Sequence, residues 1–245
     1  MPNRTLVLSL LGVAVIVLAV WGALRLYHNS SVKNSAQTPS NQSSSITPTN
    51  TQIPLVTRSD CQRNFDQTKL QTAVNLRNQF VTLEVKDYGT IRIQLYDKDA
   101  PKAVENFLKL TNAGFYDCLT FHRVAQGFVI QTGDPKGDGT GGQSAFGKEF
   151  ADELNPKTQS YQTGYVKGTV AMANRGPNTN SSQFFITLAD VNDTLPKNYT
   201  IFGQVVAGLD VVEKIGQVAV NPGPFGPTDG SPKVPVIITK ATISQ

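Results

Sequence analysis

The sequence predicts a mainly β fold that carries two helices, and two observations point that way. Short stretches in which apolar and polar residues alternate recur between Phe80 and Ile243, each bounded by Gly, Pro, Asn or Asp. Only two stretches show apolar residues at helical spacing. The 245 residues contain no visible internal repeat, and their 39% hydrophobic content is enough to fill a core.

Taken in order, Phe80 to Val85 and Thr90 to Tyr96 alternate like the arms of a hairpin turning at Asp87-Tyr88-Gly89. Pro101 to Ala113 reads as a helix. Pro101 suits its first turn, and Val104, Phe107, Leu108 and Thr111 make one face. Glu105 and Lys109 form an i,i+4 pair, and Gly114 ends the helix. Phe121 to Asp134 places a charged arginine, Arg123, among apolar strand residues. Gly127 permits a reversal there, which would bring Arg123 across from Gln131. Strand alternation puts Val129 with Gln131 on one side and Phe128 with Ile130 on the other. Ala171 to Thr187 reads as strand, turn-rich loop and strand, with Gln183, Phe185 and Thr187 sharing a face. Val211, Val212 and Ile215 mark a short helix closed by Gly216. Pro222 to Pro235 is too rich in Pro and Gly for either state, and Val236 to Ile243 is a closing strand.

The N-terminus has a different character. Leu6 to Leu24 is nineteen residues, apolar apart from Ser9 and two glycines, with Arg4 before it and Arg25, His28 and Lys33 after. That length spans a bilayer and exceeds the usual apolar region of a cleaved signal peptide. An uncleaved anchor over residues 1–27 is therefore favoured over a cleaved leader, with the following domain outside the cytoplasm; secretion after cleavage is the alternative. Basic residues nearly balance across the segment, so its orientation stays open. Residues 28–57 are dominated by Ser, Thr, Asn, Gln and Pro and are expected to be a disordered spacer with a reach of roughly 30 Å. Residues 58–245 form the folded domain, with an N-terminal extension over 58–79.

The ordered set Phe121–Asp134 and Ala171–Thr187, joined by Tyr116-Asp117, Gly139-Thr140-Gly141-Gly142, Leu195 and Phe202-Gly203, resembles the cyclophilin family of peptidyl-prolyl isomerases. The likeness runs from about Val81 to the C-terminus and suggests a bacterial-like, membrane-anchored member. It implies a closed eight-stranded antiparallel barrel with a helix capping each end and a substrate groove on the outer wall. It also implies that Phe128, Val129, Phe185 and Leu195 form a proline slot with Tyr199 at its wall. Gln131 would orient Arg123, while Ala173, Asn174 and Gln183 would hold the peptide extended. Without the resemblance, Arg123 alone reads as a solvated or salt-bridged arginine and the four apolar residues as core. His122 precedes the arginine and points the opposite way, which assigns it a structural part.

The chemistry implied needs little machinery. An X-Pro bond interconverts slowly because amide resonance must be broken, yet no covalent bond changes. As the C–N bond twists, the nitrogen lone pair localises and accepts a hydrogen bond, so a fixed guanidinium at Arg123 binds the twisted state best. No cofactor or metal is required, and two histidines with two cysteines make no recognisable zinc site. The expected partners are proline-containing polypeptides and, through the N-terminal segment, a membrane, with the domain acting as a monomer. A non-catalytic proline-peptide binding or docking module is the alternative function.

Other classes fit less well. The net charge of +4 is scattered rather than clustered, which disfavours nucleic acid. Gly137 to Gly142 fits a glycine-rich nucleotide motif but lacks the strand-turn-helix context. Cys61 and Cys118 could form a disulfide that staples the extension to the domain, or remain two thiols. Thr194 stands where many eukaryotic members carry tryptophan and Tyr199 where many have histidine, so cyclosporin binding is expected to be weak. Thr132 and Ala125 also depart from the usual residues. Arg175 replaces a small residue at the groove rim and predicts a preference for acidic residues beside the proline.

Overall fold

The computed structural model describes residues 61–245. The predicted anchor (1–27) and spacer (28–57) lie outside the described residues, as do residues 58–60 of the extension. Among the described residues no helix is long and apolar enough to cross a membrane.

One antiparallel sheet carries the fold. Its strands are β1 (Phe80–Val85), β2 (Gly89–Leu95), β3 (Arg123–Ala125), β4 (Val129–Thr132), β5 (Thr169–Met172), β6 (Phe184–Thr187), β7 (Ile201–Ala207), β8 (Val220–Gly223), β9 (Gly226–Pro232) and β10 (Ile238–Ser244). They lie in the order β10-β1-β2-β7-β5-β6-β4-β3-β9-β8. The expectation of eight strands in a closed barrel is corrected on both counts. Ten strands form the ladder, and it is not closed. Where β3 would meet β10 there is only an isolated bridge, Thr120 with Ile237, flanked by bonds such as Cys118 N–H to the Ile238 carbonyl at 2.7 Å. The two additional strands come from the stretch read as irregular. β8 lies at a sheet edge, where Pro222 forfeits no central ladder bond, and β9 meets β3 over only two residue pairs. The closing strand also starts at Ile238 rather than Val236.

Among the described residues three α-helices accompany the sheet, one more than expected of the folded domain: α1 (Pro101–Asn112), the short α2 (Gln159–Thr163) and α3 (Leu209–Gly216). Val104, Phe107, Leu108 and Thr111 of α1 are buried as their spacing predicts, and Lys109 Nζ lies 3.1 Å from Glu105 Oε1. The start of α1 is held by a residue fifty positions away. The Glu153 carboxylate accepts from the Lys102 and Ala103 N–H groups, each at 2.9 Å, satisfying donors that a helix leaves unpaired.

Alternation along the strands divides the apolar residues between two clusters. Val124, Ile130, Val170, Met172, Phe184 and Ile186 join the main core with α1 and α3. There Phe107 sits 5.0–5.2 Å from the rings of Tyr116, Phe184 and Phe202. Their neighbours Ala125, Val129, Ala171 and Phe185 point the other way and form a second cluster with Tyr165, Val191, Leu195 and Ile201. β5 and β6 are buried at all four positions, so one sheet wall has two apolar faces. The second face carries the site.

Cys61, ahead of β1, forms a disulfide with Cys118, between α1 and β3, with Cα atoms 5.6 Å apart. Phe65 packs edge-on against Phe115 at 5.1 Å, and the Asp66 N–H donates to the Ala113 carbonyl.

Candidate active site

The β3–β4 hairpin sets Arg123 opposite Gln131 in the register anticipated from the sequence. Arg123 Nη1 donates to Gln131 Oε1 at 3.2 Å. Gln131 Nε2 then donates to Gln183 Oε1 at 2.9 Å, and Gln183 Nε2 donates to the carbonyls of Gly139 and Gly141 at 3.0 and 2.7 Å. This relay ties the guanidinium to the glycine-rich loop. It works because the chain closes up at Gly133, where a Cβ would stand 2.2 Å from the Ser182 carbonyl oxygen and φ is +89°.

Arg123 and Gln131 line a cavity of about 130 Å³ together with Phe128, Val129 and Phe185. Ala173, Asn174, Leu195 and Tyr199 complete the lining. Nine of the ten residues named from the sequence thus meet in one concavity. Gln183 is the exception: its amide is engaged in the relay, although its backbone carbonyl accepts from the Ala173 N–H at 2.9 Å and braces the wall. Phe128 reaches the cavity despite its assigned alternation because it lies in the turn ahead of β4, outside the pleat. A larger cavity of about 310 Å³, beside Asp97, Lys98, Asp99 and Ser160, is lined by neither arginine nor phenylalanine.

The slot is held from behind. The ring of Tyr199 stands edge-on to Phe185 at 5.5 Å, and Leu195 is anchored by its N–H bond to the Val191 carbonyl at 2.8 Å. Tyr165, buried beneath them, has its phenol pushed up to about 12 by burial. His122 is buried away from the slot, and its ring nitrogens have no hydrogen-bond partner among the described residues. Burial holds its pKa below the ordinary histidine value. At the rim, Arg175 Nη2 lies 2.5 Å from Glu149 Oε1, so its charge is already matched. The glycine-rich motif does not offer a phosphate cradle: the buried Asp134 carboxylate accepts from the N–H groups of Lys136, Asp138 and Gly139.

Sequence reasoning missed two residues at the site. Asp229 grips the guanidinium of Arg123 through both oxygens, and Phe225 lies with its ring centroid 5.2 Å from Arg123 Cζ. Both belong to the β8–β9 hairpin, which the Pro and Gly content had masked.

Residues 80–243 match the family model described as cyclophilin type peptidyl-prolyl cis-trans isomerase/CLD. Peptidyl-prolyl cis-trans isomerase CYP18-2 of Arabidopsis thaliana is 45% identical over 141 residues, covering 58% of this chain and 82% of that protein. Peptidyl-prolyl cis-trans isomerase CYP71 of the same plant is 51% identical over 133 residues, 54% of this chain, which spans only 20% of that longer relative. A crystal structure of a Cryptosporidium parvum cyclophilin type peptidyl-prolyl cis-trans isomerase superposes with a TM-score of 0.59 at 34% identity, covering 69% of this chain and 98% of the other. A second crystal structure of that protein, in the presence of the dipeptide Ala-Pro, gives 0.58 at 33% identity, with 68% and 99% covered.

Proposed function

This chain belongs to the cyclophilin-type peptidyl-prolyl cis-trans isomerase family, and on that premise we propose that Arg123 accelerates X-Pro rotation by donating to the proline nitrogen as the bond twists. The enzyme class is peptidyl-prolyl cis-trans isomerase. The observation that carries the mechanism is the position of the Arg123 guanidinium on the wall of the same small cavity as Phe128, Val129, Phe185 and Leu195. A proline ring seated there brings its nitrogen beside the cation, and the surrounding apolar atoms lower the effective dielectric around the forming bond.

The magnitudes are consistent with that assignment. A hydrogen bond to a charged donor contributes roughly 1.5–3 kcal/mol, which is about 10- to 150-fold in rate. Seating the ring and holding the flanking peptide, the parts we assign to Tyr199, Ala173 and Asn174, supply the remainder through orientation. Gln131 keeps the guanidinium aligned through the Nη1 bond, with Gln183 behind it.

We further propose that the N-terminal apolar segment, Leu6 to Leu24, tethers this monomeric domain to a membrane on the extracytoplasmic side, where it assists folding of exported chains. Alkaline extraction of membranes separates an integral anchor, which stays in the pellet, from a secreted form.

The test of catalysis is the cis-to-trans rate of a short Ala-Pro test peptide with the full-length chain in detergent, wild type against Arg123→Ala. The expected result is a loss of about 100-fold in kcat/KM with peptide binding retained. A folded wild type without acceleration would turn Arg123 into a peptide-binding residue and the domain into a docking module.

A further inference from the structure

The C-terminal hairpin is built onto the reactive arginine. Arg123 Nε donates to Asp229 Oδ1 at 2.8 Å and Nη2 to Oδ2 at 2.7 Å, a two-point contact that fixes the plane of the guanidinium as well as its position. The pair is partly shielded, with side-chain exposures of 28% for Arg123 and 14% for Asp229. A guanidinium has five N–H donors. Asp229 takes two and Gln131 one, leaving one N–H on each terminal nitrogen without a partner among the described residues.

The backbone delivers Asp229 to this point. β9 pairs with β3 so that Asp229 is in register with Ala125, two residues beyond Arg123, and the Gln126 N–H donates to the Thr228 carbonyl at 3.0 Å. Gly230 lets β8 and β9 approach closely, since a Cβ there would stand 1.9 Å from the Asn221 carbonyl oxygen. Phe225, at the hairpin tip and 77% exposed, covers the guanidinium. Asp229 and Phe225 both touch the arginine, and neither lines the cavity itself.

We propose that Asp229 is a positioning residue for isomerisation. It holds the Arg123 guanidinium so that a remaining N–H meets the twisted proline nitrogen, and the β8–β9 hairpin is thereby a working part of the site. Gln131 alone grips one terminal nitrogen, about which the group can still swing. The carboxylate removes that freedom before substrate arrives. The inference rests on the reading of Arg123 as the donor.

A double-mutant cycle tests it. Isomerisation is measured with the full-length chain for wild type, Asp229→Ala, Asp229→Asn, Arg123→Ala and the Arg123→Ala/Asp229→Ala pair. Asp229→Ala is expected to lower kcat about tenfold or more with KM nearly unchanged. Asp229→Asn, which keeps the shape but loses the charge and an acceptor, should fall between. In the Arg123→Ala background the second substitution should change nothing, because there is no arginine left to position. Equal activity in wild type and both Asp229 variants would overturn the proposal. So would an Asp229→Ala loss that persists undiminished in the Arg123→Ala background, which would mark a purely structural role. Should Asp229→Ala fail to fold, the Asp229→Asn comparison in both backgrounds decides by the same criteria. An inactive folded wild type would instead overturn the isomerase mechanism on which this inference stands.

Discussion

The Tyr165 hydroxyl holds both backbone polar groups of Tyr199: it donates to the carbonyl at 2.9 Å and accepts from the amide N–H at 3.0 Å. A buried phenol thus sets the height of the slot wall above it. Tyr165→Phe leaves those two groups unpaired and is expected to cost roughly 1–3 kcal/mol. Its melting temperature should fall, and kcat/KM should drop as Tyr199 loosens. The phenol also contributes to alkaline behaviour. With the folded value raised to about 12, the folded state keeps a proton that the unfolded chain loses near pH 10, so this contribution is complete below about pH 10 and lost as pH rises toward 12. Thermal scans across that window should show a shallower decline in Tyr165→Phe than in wild type.

His122 acts at the other end of the pH scale. Burial lowers its pKa beneath 6.5, so the unfolded chain takes up a proton before the folded one does. Its contribution is complete above about pH 6.5 and is lost as pH falls through the folded value. Wild type should lose melting temperature on acidification between pH 7 and 5, values spanning about the ordinary histidine pKa. His122→Phe should flatten that part of the curve, and an unchanged slope would show that the histidine does not titrate with unfolding.

The rim charge of Arg175 is met by Glu149 at 2.5 Å in the free protein. The preference for acid-flanked prolines anticipated from the sequence should therefore be small in wild type. Removing the internal competitor by Glu149→Gln should raise kcat/KM for a Glu-flanked peptide relative to a Lys-flanked one by a few-fold at most, the scale of an exposed ion pair of about 0.2–1 kcal/mol. High salt should erase the difference, and the two peptide series measured side by side provide the check.

Cys61 and Cys118 enclose a separation of 57 residues. In the chain-entropy account a loop of this size contributes on the order of 4 kcal/mol. Replacing both cysteines by serine should lower the urea midpoint, and a reductant should do the same to wild type but not to the variant. The Arg123 environment lies in other contacts, so activity under native conditions should survive.

Residue pattern gives the local geometry around the candidate site, and only the family likeness gathers its apolar residues into a slot. The hairpin at Gly127 and the face shared by Gln183, Phe185 and Thr187 follow from a two-residue period, which depends on local geometry alone. What escaped depends on partners distant in sequence. Asp229 is 106 residues from Arg123, and nothing in its surroundings, Pro227-Thr228-Asp229-Gly230, marks a strand. Prolines are tolerated there because β8 is an edge strand and β9 pairs with β3 only at Asp229 and Gly230, positions that composition cannot reveal. Strand alternation sets Phe128 beside Ile130, against the slot that the family likeness implies for it, because alternation fails where the chain turns. Barrel closure came from family likeness rather than from residues, and the interrupted seam at Thr120 is where the two part.

β6 carries Phe184 and Ile186 inward and Phe185 outward on one four-residue strand. Only the thickness of a single polypeptide backbone separates the packing that keeps this protein folded from the face that lines the candidate site. A change of volume at Phe184 must displace the main chain that bears Phe185, so the interior and the reaction cannot vary independently along this strand.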